Sequence, residues 1–246
     1  MHPTNGHSKR AAVAKALAAQ ALSADRHVAA VDVVLFTIQE GSLRALLVQR
    51  PAAPYAGAWS LPGGFVRKDE SVDEAALREL QEETGITTVY LEQLYTFGDL
   101  DRDPRGRVIA VTYYAPVNWE QVRLKALPRQ RNARWFPIKR LPELAFDHRK
   151  IIAAALERLR NKVNYTSIAF QLLPKKFTLS ELQRAYEVVL DQTLDKRNFR
   201  KKMLQLGVLK DTGEQQIEGR QRPARLYSFT DTRVIKLQEK GIIVPF

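Results

Sequence analysis

Five glutamates crowd one short stretch of this chain, and that stretch limits the fold more than any other. Between Gly63 and Ile86, "GGFVRKDESVDEAALRELQEETGI" carries Glu70, Glu74, Glu79, Glu82 and Glu83. Ser71 followed three residues later by Glu74 is a capping box, and Gly85 is a good C-terminal breaker. A helix is therefore predicted from near Val72 to Gly85. On a helical wheel Val72, Ala76 and Leu80 share the core-facing sector, Glu79 and Glu83 border it one turn apart, and Glu82 lies on their flank. Like carboxylates at i and i+4 destabilise a helix by about 0.2–0.5 kcal/mol per pair, and partial burial adds to that cost. A hard divalent cation, Mg²⁺ or Mn²⁺, resolves the conflict, because Mg²⁺ takes oxygen ligands and keeps water and substrate phosphates in its shell. The competing reading is a solvated acidic face on which Arg78 pairs with Glu74 and Glu82, each four residues away.

The flanking sequence is α/β in pattern. "VDVVLFTIQEGSLRALLVQR" at 31–50 reads as two strands around a Glu-Gly-Ser turn, and "VYLEQLYTFG" and "VIAVTYYAPV" are further strands. Pro62, Gly63 and Gly64 are predicted to form a loop. Between the last two strands, residues 98–107 gather Asp99, Asp101, Arg102, Asp103, Arg105 and Arg107 on one short connection. Arginine suits bidentate phosphate contact, although Asp-Pro and Arg-Gly are also ordinary turn chemistry.

A length of 246 residues accommodates two domains. The net charge of +12 is uneven: residues 147–246 carry 20 Lys and Arg against 11 Asp and Glu, whereas the first 146 are near neutral. A basic half beside a near-neutral one suggests two modules, one with a polyanionic partner. There is no Cys, which excludes disulfides and thiolate metal sites and fits a reducing, cytoplasmic compartment. No apolar run approaches the roughly 18 residues of a membrane span, so no membrane partner is expected. Residues 1–27 read as a leader, disordered and then helical and Ala-rich.

Past Asp147, "DHRKIIAAALERLRNKV" reads as a long amphipathic linking helix. "FTLSELQRAYEVVL" follows, with a second capping box at Thr178 and Glu181 and apolar Leu182, Tyr186 and Leu190 at spacing four. After the turn "DQTL", a helix beginning at Asp195 and ending at Gly207 stripes Phe199, Met203 and Leu206 on one side, with Lys196, Arg197, Arg200, Lys201 and Lys202 filling much of the rest. Residues 208–230 read as a β-hairpin whose basic tip contains Arg220, Arg222 and Arg225. Helix, turn, basic helix and basic hairpin make the layout of a winged helix-turn-helix. The second helix is expected in the major groove and the hairpin along phosphates or in the minor groove. Arg197 and Asn198, near the helix start, are placed to reach base edges.

The glutamate stretch resembles the Nudix box: Gly64, Glu70, Arg78, Glu79, Leu80, Glu82, Glu83, Gly85 and Ile86 fill every fixed position. The resemblance implies an α/β/α sandwich with a mixed sheet and hydrolysis of a nucleoside diphosphate linked to another group. It implies that Glu79, Glu82 and Glu83 are metal ligands and catalytic, that the Gly64 carbonyl touches the metal, and that Arg78 orients a glutamate. The general base stays open between Glu79 and a group outside the box. Trp59 is implied to lie near the nucleoside. Residues 95–115, with Arg102, Asp103, Arg105 and Arg107, and "LAFDHRKII" with His148 are similar to the corresponding segments of ADP-ribose-type members.

With the tail included, residues 28–230 resemble the Nudix-related transcriptional regulators of NAD metabolism. That family implies a dimeric repressor on double-stranded operator DNA, with ADP-ribose as the signal. Many such regulators carry an eroded box, whereas this chain keeps every carboxylate. The alternative is an ADP-ribose pyrophosphatase whose tail serves dimerisation or another partner. The expected organisation is a leader at 1–27, a Nudix domain at 28–146, a linking helix at 147–164 and a winged helix-turn-helix at 165–246.

Overall fold

A computed structural model of the chain describes residues 27–87, 89–120, 122, 132–217 and 223–230. The predicted leader, apart from His27, lies outside these residues, as do Arg220 and Arg222.

β1 (Val28–Gln39) and β2 (Ser42–Gln49) form the predicted hairpin. Val31, Val33 and Leu35 of β1 enter one apolar cluster and Val34 and Phe36 the other. Burial on both faces explains why the strand is an almost unbroken apolar run. β3 (Trp59–Ser60), β4 (Gly63–Phe65), β5 (Glu92–Phe97), β6 (Val108–Pro116) and β7 (Ala133–Pro137) complete the sheet. Its path is β3-β2-β1-β6-β5, with β4 on β1 and β7 on β2. The β1–β6 pairing is parallel and the others antiparallel, giving the mixed sheet.

Gly63 and Gly64, expected in a loop, instead begin β4, pairing with Asp32 and Val31. A Cβ on Gly63 would sit 2.2 Å from the Val31 carbonyl oxygen. Glycine lets the two backbones approach this closely.

α1 (Val72–Thr84) starts on the Ser71–Glu74 capping box and ends at Gly85, whose φ is 76°. Its Ala75, Ala76 and Leu80 pack on the sheet face that carries Val31, Val33 and Leu35. α2 (His148–Val163) covers the opposite face through Ile151, Ile152, Ala155 and Leu159. The predicted linking helix is thus a packed layer of the sandwich. Its core runs on without a break into the C-terminal module, where Phe177, Leu182, Tyr186, Phe199 and Met203 join the same cluster.

In that module β8 (Phe177–Thr178) leads into α3 (Leu179–Leu190), which has its own capping box at Thr178 and Glu181. α4 (Lys196–Gln205) begins on the Asp195 side chain, which accepts the Asn198 N–H. β9 (Leu209–Gln216) and β10 (Ala224–Phe229) form the hairpin, and β8 adds a third strand on β10. Phe229 stacks on Phe170 and Phe177, fixing the hairpin to the body.

Candidate functional site

The box carboxylates meet the glycine strand. Glu83 is 5% exposed and its Oε2 accepts the Gly63 N–H at 3.0 Å. Glu79 lies against Gly64 so closely that a Cβ there would be 2.3 Å from its Oε1. Arg78 donates to Glu70 through Nε (2.7 Å) and Nη2 (2.6 Å), to Glu79 through Nη1 (2.6 Å), and to the Phe65 carbonyl at 3.2 Å. It therefore ties strand, loop and helix together and aims Glu79. Glu74, an alternative partner in the sequence, is held by Ser71 in the capping box. Glu82 turns outward, half exposed, to Arg67 at 3.2 Å, with Arg78 at 3.5 Å.

One buried carboxylate, Glu83, one partly buried, Glu79, and the Gly64 backbone thus fit a hard cation that keeps other positions for water and ligand. Glu82 stands apart, and no three His, Asp or Glu side chains among the described residues already converge as a metal cluster.

The hydrogen bonds from Arg78 hold the Glu70 carboxyl down at about 2, against an ordinary 4.5. A carboxylate depressed on folding contributes stability that is present above the unfolded value and lost as pH falls through the folded one. Glu70→Gln is expected to flatten the fall in urea midpoint between pH 4.5 and about 2. An unchanged acid profile would remove Glu70 from the network.

A pocket of about 270 Å³ opens beside Glu79 and Gly64, walled by Arg50, Phe65, Asp103, Arg105 and Phe146, with Asp32, Arg102 and His148 at its base. The base is a buried polar knot. Arg102, 3% exposed at its side chain, donates to Asp147 at 2.8 and 3.1 Å and to Asp32 at 3.2 Å. His148 Nδ1 accepts the Leu61 N–H at 2.8 Å, which leaves Nε2 to carry the proton facing Asp32 Oδ1 at 3.4 Å. Burial pushes the Asp32 carboxyl up, but His148 and Arg102 outweigh it and hold it below the ordinary range.

The other predicted ligand residues divide. Asp103 is buried and grips Arg105 bidentately at 2.6 and 2.9 Å, and the Arg105 guanidinium lies 4.8 Å from the Phe65 ring centroid. Arg107 holds the hairpin backbone at Gly98 and Asp99 and does not line the pocket. Nor does Trp59, whose ring packs edge-on against Phe136 at 4.7 Å. The sequence pattern does not mark Asp32, Arg50, Phe146 and Asp147 as site residues. Only Asp32 carried a usable signal, a lone carboxylate inside an apolar strand.

On the C-terminal module Lys196, Arg197, Asn198 and Lys201 form an exposed face of α4. Arg200 is half-buried and bonded to Ser180 Oγ of α3 at 3.0 Å. Arg225, expected at the hairpin tip, sits within β10 opposite Gln215 and 3.3 Å from Asp211. No helix among the described residues is long and apolar enough to cross a membrane.

Fold and site together define a Nudix sandwich joined through a shared helix to a winged helix-turn-helix. The model of the NUDIX domain matches residues 26–155, and that of the NrtR DNA-binding winged helix domain matches residues 169–229. The chain is 39% identical over 203 residues to the ADPR responsive transcriptional repressor NtrR of Acinetobacter baylyi, covering 81% of this chain and 80% of that one. It is similar to the crystal structure of Shewanella oneidensis NrtR complexed with a 27mer DNA, at TM-score 0.73 and 39% identity over 82% of this chain and 93% of that one. The NUDIX domain of the same Shewanella protein complexed with ADP ribose matches 59% of this chain and 97% of that one, at 38% identity and TM-score 0.51. The chain belongs to the Nudix family, in the branch that carries an NrtR winged helix domain. Nudix hydrolases generally use a divalent metal.

Proposed function

We propose that this chain is a homodimeric transcriptional repressor of NAD metabolism genes, whose Nudix domain binds ADP-ribose and hydrolyses it with Mg²⁺ or Mn²⁺. The observation that carries the reading is the joining of two working surfaces in one core. A complete box beside a pocket lies at one end of α2, and the other end is bonded to α3, on which the exposed basic helix α4 is seated.

In the pocket, Glu79, Glu83 and the Gly64 carbonyl would hold the cation. Bound there, it would neutralise the pyrophosphate and activate a water. Arg78 keeps Glu79 in place, and Asp103 fixes the Arg105 guanidinium at the pocket wall, where it can meet a phosphate without first being ordered. On DNA, Arg197 and Asn198 read base edges, Lys196 and Lys201 neutralise phosphates, and Arg200 braces α4 on α3. Arg225 lies on the wing, and a palindromic operator would match a two-fold dimer.

Fluorescence anisotropy on operator DNA tests this. Binding near 10⁻⁸ M that weakens on adding ADP-ribose is expected. Lys201→Ala should weaken every sequence alike and reduce the salt slope by about 1, whereas Arg197→Ala should cost about 1–3 kcal/mol on the operator alone. Micromolar binding indifferent to sequence would instead favour an ADP-ribose hydrolase whose tail serves dimerisation. The retention of every box carboxylate gives that second reading its weight.

A further inference from the structure

The larger of the two cavities described lies outside the Nudix site. It occupies about 610 Å³ at the seam between the modules, more than twice the volume beside the box. One wall is the stripe Arg184, Glu187, Val188 and Asp191 of α3 and its cap, whose spacing of three and four places them on one helix face. The other wall is the β1–β2 turn and residues 137–140, with Leu43, Pro137 and Ile138 as an apolar floor. Lys139 bridges the walls by pairing with Asp191 at 2.5 Å.

Four cations line this space and only two carboxylates do. Each carboxylate is engaged. Asp191 takes Lys139, and Glu187 accepts the Gln183 amide and the Leu194 N–H, both at 3.0 Å. Arg160 spends its Nε on the Val189 carbonyl at 3.0 Å. Arg140 and Arg184 are exposed, one on each wall, and neither has a hydrogen bond or ion pair among the described residues. A guanidinium pair across an apolar floor suits a phosphate-bearing small molecule, the charge gripped between the arginines and the body on the floor.

We infer that the seam cavity is a second anion site, taking a phosphate-bearing metabolite gripped by Arg140 of the Nudix domain and Arg184 of the winged helix. This goes beyond the ADP-ribose reading. Because an occupant would touch both modules, it would also bias how the winged helix is held.

The test is isothermal titration calorimetry of the full chain with inorganic pyrophosphate in EDTA. Without a metal, the carboxylates of the box repel that probe. One saturable site is expected, weakened at least about tenfold in Arg140→Ala/Arg184→Ala and unchanged in Arg105→Ala, which removes the guanidinium at the Nudix pocket wall. No binding, binding indifferent to the double variant, or binding lost in Arg105→Ala each overturns the inference. A melting curve matching the parent checks the fold. Should the alanine pair misfold, Arg140→Gln/Arg184→Gln replaces it. Operator affinity measured without pyrophosphate adds an independent arm. An unchanged value in the double variant supports the metabolite site, and a loss like that of Lys201→Ala would assign these arginines to DNA phosphates instead. The calorimetry stands whether or not the chain binds an operator.

Discussion

Arg102→Ala is expected to destabilise the protein by about 3–5 kcal/mol. The guanidinium is almost fully enclosed and satisfies two buried carboxylates, Asp32 of β1 and Asp147 at the start of α2. Truncation leaves both anions in the interior with the cation gone, and it is the stranded partners that dominate such losses. Arg102→Lys should recover only part of the stability, because an ammonium cannot reproduce the fork that reaches Asp147 twice and Asp32 once. The pH dependence has a definite sign. Asp32 is depressed on folding, so its contribution is present above its unfolded value of 3.8 and is lost as pH falls through the lower folded value. Urea denaturation of parent and variants checks both points. A loss under about 1 kcal/mol would mean that the knot is as weak as a surface pair.

The knot also shows where sequence reasoning stops. The α1 boundaries, both capping boxes, the β1–β2 hairpin and the α4 stripe follow from contacts within a few residues, and the structure places them where the pattern does. Such signals are local, so they are written locally. The role of Arg102 is not. Its partners lie 70 and 45 residues away, and in the string "DLDRDPRGR" it is indistinguishable from Arg105, which stays at the pocket wall. Three arginines of one hairpin have three different fates because the sheet buries one, stacks one and bends one back onto backbone carbonyls. Trp59 is a similar case. Its position before the box suggested a nucleoside neighbour, but the aromatic residues that wall the pocket are Phe65 and Phe146. Phe146 reaches the pocket from the start of α2, at a left-handed φ of 54°, a conformation no pattern of side chains announces.

The same long-range logic explains why the sequence alone predicts α2 only as a link. Its amphipathic stripe was visible, but which surface it covers depends on the face of β1 that carries Val34 and Phe36. Once α2 is a sandwich layer, the pocket and the winged helix share one element. Its N-cap Asp147 and first residue His148 are bonded to the pocket base, and Arg160 near its end is bonded to the last turn of α3. Arg102 and Leu61 of the pocket and Val189 of the DNA-binding module are thus bonded to one and the same helix and its cap.

Glu83→Gln is expected to change activity and stability in opposite directions, which separates loss of a metal ligand from damage to the fold. The amide keeps an oxygen that can accept the Gly63 N–H, so the glycine strand stays in register. It also removes one of two carboxylates placed i and i+4 on α1, which relieves about 0.2–0.5 kcal/mol of repulsion in the metal-free protein. The melting temperature without metal should therefore hold or rise slightly, while the gain on adding Mg²⁺ should shrink. Turnover of ADP-ribose should fall by more than about a hundredfold, since even partners that only support metal ligands cost 10–100-fold when altered. Operator binding without ADP-ribose should be untouched, because α4 takes no part in the pocket. Turnover at the parental rate would show that Glu83 is not a ligand. A drop in the metal-free melting temperature would show that its buried carboxylate is there to hold Gly63 and the strand.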